Sequence, residues 1–355
     1  MRGMRQRSVR LCVWPVFFAG ILCFSGPQHH VGRGLSRHVP SCTRRALPKL
    51  DSLALTQARV VRHDDSGTIV CLVGCMHFNP FSTFCAKSLT TEMMESNALA
   101  AVVIEMFDER WQRMQRLHPG GSFMRSLLDN EMQGVAEAVE QGAVPVVFGD
   151  LSDEELDSVL QDVATATLAD AGSISGWTKI WYDVANCCTT LLSSPKQESH
   201  LGVSSGVTLG SFVAPLLLLA MTPIAVIRNL LVLGMEAPNS ITAGLLLMGL
   251  LIPAFTLFAP ARPLEIDSAD PVPRSDQPGW LNWVVLPSLA LAILAIWRVQ
   301  LRAILTDRDV HIARRIADTC NKYGGRQKVV LAVVGALHLA GISKLVGKCE
   351  ADDAM

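Results

Sequence analysis

At 355 residues the chain is long enough for one large domain or two ordinary ones with a real core. Its formal net charge of −1 sets up no field that would point to nucleic acid or to acidic substrates. Half of the residues are apolar and the mean hydropathy is +0.31, high for a soluble protein, with the excess mostly between Val207 and Trp297.

Ten cysteines occur without a CxxC pair, and Cys187 and Cys188 are adjacent, poor geometry for a mutual disulfide. A disulfide scaffold or structural zinc site is not expected. Residues 1–50 contain no Asp or Glu. Arg2, Arg5, Arg7 and Arg10 precede the apolar run LCVWPVFFAGILCF (11–24), which has the form of a signal peptide. An acid-free stretch with Arg and Ser follows, as in transit peptides. The two-part leader points to a plastid bounded by extra membranes; a signal anchor into the endomembrane system or a mitochondrial leader remain alternatives.

Beyond the leader, TIVCLVG (68–74) is continuously apolar and β-branched, as expected of a strand buried on both faces. AAVVIEM (to 106), AVPVVFG (143–149) and KVVLAVVG (328–335) repeat the form. Helices are predicted between them. FMRSLLDNEMQGVAEAVEQG puts Leu128, Met132, Val135 and Val139 on one face and closes at Gly142. TDRDVHIARRIADTCNKYGG groups Val310, Ala313, Ile316, Ala317 and Cys320, with Thr306 or Asp307 as N-cap and Gly324 as stop. Strands alternating with helices predict an α/β fold, a largely parallel sheet with flanking helices.

That fold is interrupted. Residues 207–227 and 241–261 are charge-free blocks of 21 residues each, about 32 Å as helices and long enough for a bilayer core. Residues 280–297 form a third block, bracketed by Trp280, Trp283 and Trp297 with Arg298 and Arg302 just outside. The expected organisation is a targeting leader over 1–50, the first part of the α/β domain over 51–160, and a linker or helical region over 161–206. A transmembrane helical insertion over 207–300 and the second part of the domain over 301–355 complete it.

Ligands of open α/β sheets bind beyond the carboxyl ends of the strands. The polar residues at those four ends are His77, Glu105, Asp150 and His338. Two of them close the repeated form Gly-x-x-His, with Gly74 and Gly335 expected to let the chain turn sharply. The form alone is weak, since Gly26 and His29 repeat it in the leader. Its weight comes from both other copies ending an apolar strand. Two histidines and a carboxylate (His77, His338 and Glu105) are a common first shell for a divalent metal such as Mn, Co, Zn or Fe. A nearby carboxylate, Glu131 or Asp150, would then serve as general base; Glu131 reads equally well as a solvated helix acid. No Gly-rich phosphate loop, GxSxG elbow or aromatic-basic groove is present, so nucleic acid is not an expected partner.

In order along the chain, GCMH, VVIEMFDER, NEMQGVAEAVEQGAVPVVFGD, TDRDVHIARRI and VVGALHLAGI resemble the successive motifs of the TraB/PrgY family, which is similar to the Tiki and erythromycin-esterase-like superfamily. The resemblance covers 68–150 and 305–346. It implies a site of two GxxH motifs, a pair of glutamates and an arginine, by position His77 and His338, Glu105 and Glu131, and Arg110. In that superfamily Tiki proteins are metal-dependent proteases, PrgY-type members restrain a peptide pheromone, and some eukaryotic members are organelle-membrane receptors or tethers. This chain departs from the pattern after the third strand, where Leu151 stands in place of an arginine and acids replace a later one; Arg308 is retained.

If His77 and His338 share a site, the chain between them crosses the membrane an even number of times. The expected hairpin is 207–235 with 241–261; pairing the second block with 280–297 is nearly as good. Two functions follow from the sequence. One is a membrane-anchored, metal-dependent hydrolase, most plausibly a peptidase, with Arg110 orienting the substrate. The other is a non-catalytic regulator or tether that binds a peptide, haem or protein partner.

Overall fold

The computed structural model describes residues 58–140, 142–192, 209–236 and 280–346. The leader and the 241–261 block lie outside the described residues. Five strands, β1 (Ala58–Arg62), β2 (Ile69–Cys75), β3 (Leu99–Ile104), β4 (Val146–Phe148) and β5 (Val329–Gly335), form one sheet in the order β1-β2-β5-β3-β4. β2, β5, β3 and β4 run parallel, while β1 adds an antiparallel edge, Val60 opposite Cys71.

The three central strands are buried on both faces, which explains their unbroken apolar sequence. Successive side chains alternate between the faces. Ile69, Cys71 and Val73 point to the layer of α1 (Pro80–Glu95) and α4 (Glu131–Glu140), packing on Cys85, Leu89 and Val135. Val70 and Leu72 point the other way, to Ile312 and Ile316 of α9 (Asp307–Tyr323) and Ile342 of α10 (Leu339–Val346). Between β3 and α4 lie α2 (Asp108–Leu117) and the short α3 (Phe123–Leu127).

The α/β expectation needs correction. Helix makes up 67% of the described chain, and the sheet is small. The reason is the chain outside the sheet layers. The end of the expected first part of the domain and the expected linker or helical region form two long helices, α5 (Asp153–Ala171) and α6 (Ile174–Leu192). Two further helices occupy the apolar region, α7 (Leu209–Glu236) and α8 (Trp280–Leu301). Periodicity locates strands but does not weigh them against helices whose polarity hides their packing.

α8 packs on α5 and α6 around a buried Arg298, whose Nη1 donates to Asp170 Oδ2 (2.6 Å) and Nε to Asp183 Oδ2 (2.8 Å). The helix runs through Pro287 and continues by a π-helical turn, Arg302–Thr306, directly into α9. No cap therefore forms at Thr306, whose backbone is helical. Within this rod, Pro287–Tyr323 contains the one stretch among the described residues long and apolar enough to cross a membrane. This is the third apolar block of the sequence. The first, on α7, packs against the α/β layers instead, with Leu217, Leu218 and Met221 on the core.

Candidate functional site

β2 and β5 are parallel neighbours with Cys75 opposite Gly335. Both chains therefore leave the sheet side by side, and both Gly-x-x-His segments turn over the same rim. The chain reverses at Phe78, which takes φ +61°. Gly74 and Gly335 are not in the left-handed region, so their role is room, not backbone freedom. A Cβ on Gly74 would meet the Leu339 side chain at 3.0 Å. A Cβ on Gly335 would lie 3.2 Å from both His77 Nε2 and Glu105 Oε2, and 3.4 Å from His338 Cδ2. The three expected ligands thus converge on one point above Gly335, where a Cβ would be tightly crowded.

Each histidine is held from behind by a carboxylate. His77 Nδ1 bonds Glu131 Oε1, at the buried first turn of α4, and Glu131 Oε2 accepts from the Phe78 N–H (3.3 Å). His338 Nδ1 bonds Asp309 Oδ1 of α9 at 2.6 Å, and its Nε2 lies 3.4 Å from Glu105 Oε1. His77 keeps 42% of its side chain exposed, so its Nε2 edge stays open. Burial disfavours the charged imidazole of His77, but the Glu131 carboxylate outweighs this and raises its pKa. Burial likewise pushes Asp309 upward, with the hydrogen bond to His338 opposing.

Glu105 is the hub. Its Oε2 accepts the Gly335 N–H and its Oε1 accepts from Arg308 Nη2 at 2.7 Å. Burial alone would raise its pKa; His338, Arg308 and His77 together reverse that and hold it well below the usual carboxylate range. Arg308 also clamps Asp150, Nε to Oδ1 at 2.9 Å and Nη2 to Oδ2 at 2.7 Å. The structure thus brings His77, Glu105, Glu131, Asp150 and His338 to one rim. It changes two roles. Glu131 is a buried histidine partner, not a solvated helix acid, and Asp150 is bound to Arg308 in place of standing free as a base. Arg110, half-buried on α2, bears on the site through its positive field at His77.

Asp309 was not expected, although it completes the site. Its sequence signal was weak: an acid in the first turn of a helix usually serves the helix dipole. Gly341 is the stronger clue, because a Cβ there would sit 1.7 Å from Asp309 Oδ2. Arg308 bonds Asp150, and the neighbouring Leu151 is buried.

Two imidazoles backed by carboxylates, with Nε2 directed inward, have the outer-shell bonding of metal-ligating histidines. The spacing is another matter. Among the described residues no group of three or more His, Cys, Asp or Glu is arranged to hold a metal ion. Both oxygens of Glu105 are already engaged, one of them by a guanidinium. As placed, His77, Glu105 and His338 do not form a three-ligand group for a divalent metal. Compared with protein-family models, with curated proteins and with solved structures, the chain gave no match.

Proposed function

We propose that this chain is a membrane-anchored hydrolase, related to the TraB/PrgY family, acting on a peptide or a similar carbonyl substrate. The observation that supports this reading is the convergence of His77, Glu105 and His338 above Gly335. His77 is the general base. With Nδ1 donating to Glu131, its open Nε2 carries the lone pair and takes a proton from an attacking water. Glu131 fixes the ring and stabilises the imidazolium that forms, the role of the carboxylate in any His–carboxylate pair. His338, between Asp309 and Glu105, is placed to donate its own ring proton to the leaving group, and the proton left on His77 restores it through solvent after the products leave. Arg308 is saturated by two carboxylates, which leaves recognition of a substrate carboxylate to Arg110.

That saturation also favours a second reading, a regulator or tether that binds a peptide or protein without cleaving it. Both readings place the protein in an organelle membrane, a plastid by the form of its leader. The test uses full-length protein in detergent, wild type beside His77→Ala and Glu131→Gln, against peptide and ester libraries with bound metals measured in parallel. Loss of a general base lowers the rate about 10²–10⁴-fold. Hydrolysis by metal-free wild type that drops by that factor in His77→Ala supports the proposal. One stoichiometric divalent metal, lost in a His77→Ala/His338→Ala double variant, would replace it with a metal-dependent mechanism. Peptide binding without turnover would favour the tether.

A further inference from the structure

α7 is amphipathic in an inverted sense. Every polar side chain described on it turns toward the protein. Asn229 donates to the His77 carbonyl at 3.2 Å, and Arg228 donates to the carbonyls of Phe78 and Asp129, both at 3.4 Å. Thr222 faces Met76, and Asn79, the N-cap of α1, reaches across to the Leu218 carbonyl at 3.1 Å. Ala225 and Val232 are buried on this same side. From Leu218 to Val232, four turns of helix lie lengthwise on the first Gly-x-x-His segment and its surroundings. A helix docked along its length in this way does not cross a bilayer.

The opposite face is open and wholly apolar. Leu216, Leu219, Ile224, Ile227, Leu230 and Leu231 are exposed, at the i, i+3, i+4, i+7 spacing of a single stripe, with Leu216 at 66% and Ile227 at 59%. Ala220 and Pro223 fill the gaps between them. Seven of the seventeen large exposed hydrophobic side chains among the described residues fall on this one helix. No donor, acceptor or charge interrupts the stripe, so it offers nothing for polar recognition by a protein partner. A surface this apolar is not stable in water, and the same chain carries a helix long and apolar enough to span a membrane. A chain that carries such a helix makes bilayer hydrocarbon the cover its own composition favours for the stripe.

We infer that α7 lies in the plane of the membrane, its outer stripe sunk into the acyl-chain boundary and its inner face holding the His77 segment. The occupant of the stripe is bilayer hydrocarbon. The rim site is then fixed at the membrane surface by two elements, the spanning rod and this floor helix. The inference holds whether or not the site is catalytic.

A fluorescent noncanonical residue, placed singly at Leu219, Ile227 or Leu231, tests it. The full chain is reconstituted in phosphatidylcholine vesicles brominated either near the ester carbonyl or near the chain end. The three positions span about 18 Å of helix. The expected result is quenching at all three, stronger from the shallow bromine, with the same shallow-to-deep ratio at each. A ratio that drifts steadily from 219 to 231 would mean that α7 crosses the bilayer, and overturns the inference. So would unquenched emission at all three, which means that a second copy, residues 237–279, another protein or water covers the stripe.

Discussion

A methyl group on Gly341 would sit 1.7 Å from Asp309 Oδ2, the carboxylate that holds His338. Something must shift to relieve that overlap, and the Asp309 carboxylate is held by its bond to His338. Gly341→Ala is therefore expected to lower stability by about 1–3 kcal/mol and to release the His338 ring. Asp309→Asn separates the two effects: it keeps the volume, changes the melting temperature less, and lowers turnover at least about tenfold through loss of the charged partner. A thermal melt beside a rate measurement reads both. Glu131→Gln addresses the other histidine. The Glu131 carboxylate is what raises the His77 pKa, so the variant shifts the acid limb of the pH–rate profile to lower pH. Stability follows the same linkage. A group with a raised folded pKa adds stability that is full below the unfolded value of about 6.5 and is lost as pH rises through the folded value. Wild-type stability from this pair therefore falls with rising pH across that window. Glu131→Gln flattens the fall; an unchanged slope in denaturant melts would remove Glu131 as the cause.

Elements differ in how plainly the sequence announces them. β2, β3 and β5 are covered on both faces, so their apolar runs need no partner to be recognised. β1 is an edge strand, ARVVR, whose two arginines interrupt any apolar run that would announce it. The strand ends His77, Glu105, Asp150 and His338 were legible because strand polarity places them on one rim. Asp309 was not, and Arg308 was legible only as a retained motif residue, since a helix running in from elsewhere delivers both and only tertiary structure shows which rim it meets. The same holds for α7, whose charge-free first 19 residues resemble a span until the inward turn of Thr222, Arg228 and Asn229 is known. The π turn at Arg302–Thr306 joins two helices with different obligations: α8 turns Arg298 to Asp170 and Asp183, while α9 turns Ile312 and Ile316 to the sheet. A π turn carries one more residue than the α turn it replaces. Deleting Ile304 removes that residue and rotates one face against the other by about 100°. The two sets of contacts cannot then coexist, and the melting temperature should fall by about 5 °C or more. Ile304→Ala, which keeps the π turn, should leave it within about 2 °C. Equal melting of wild type and deletion would show that the turn carries no register.

For the whole molecule, the meeting of His77 and His338 at Gly335 constrains membrane topology. Both belong to one folded body, so the chain between residues 77 and 338 returns to the side it left. α7 stays with that body, bonded to the His77 segment. α8 is long and apolar enough to cross a membrane, and its apolar length ends at Arg298 and Arg302, which pair with Asp170 of α5 and Asp183 of α6. A crossing by α8 alone would leave residues 77 and 338 on opposite faces. If α8 crosses, the sequence leads us to expect a balancing crossing between 237 and 279, where 241–261 is the charge-free stretch of sufficient length. This favours the second and third apolar blocks as the hairpin over the first and second. Glycan acceptors inserted near residues 65 and 325 should share one modification state, and acceptors within 262–279 should show the opposite one. Glycan acceptors within 237–240 should follow the first group, because the α7 end remains on the domain side. If 237–240 instead match 262–279, α7 is the crossing helix and its bonds to the His77 segment form only outside the membrane. If acceptors near 65 and 325 disagree with each other, the two Gly-x-x-His segments are on different faces and the shared rim site fails with them.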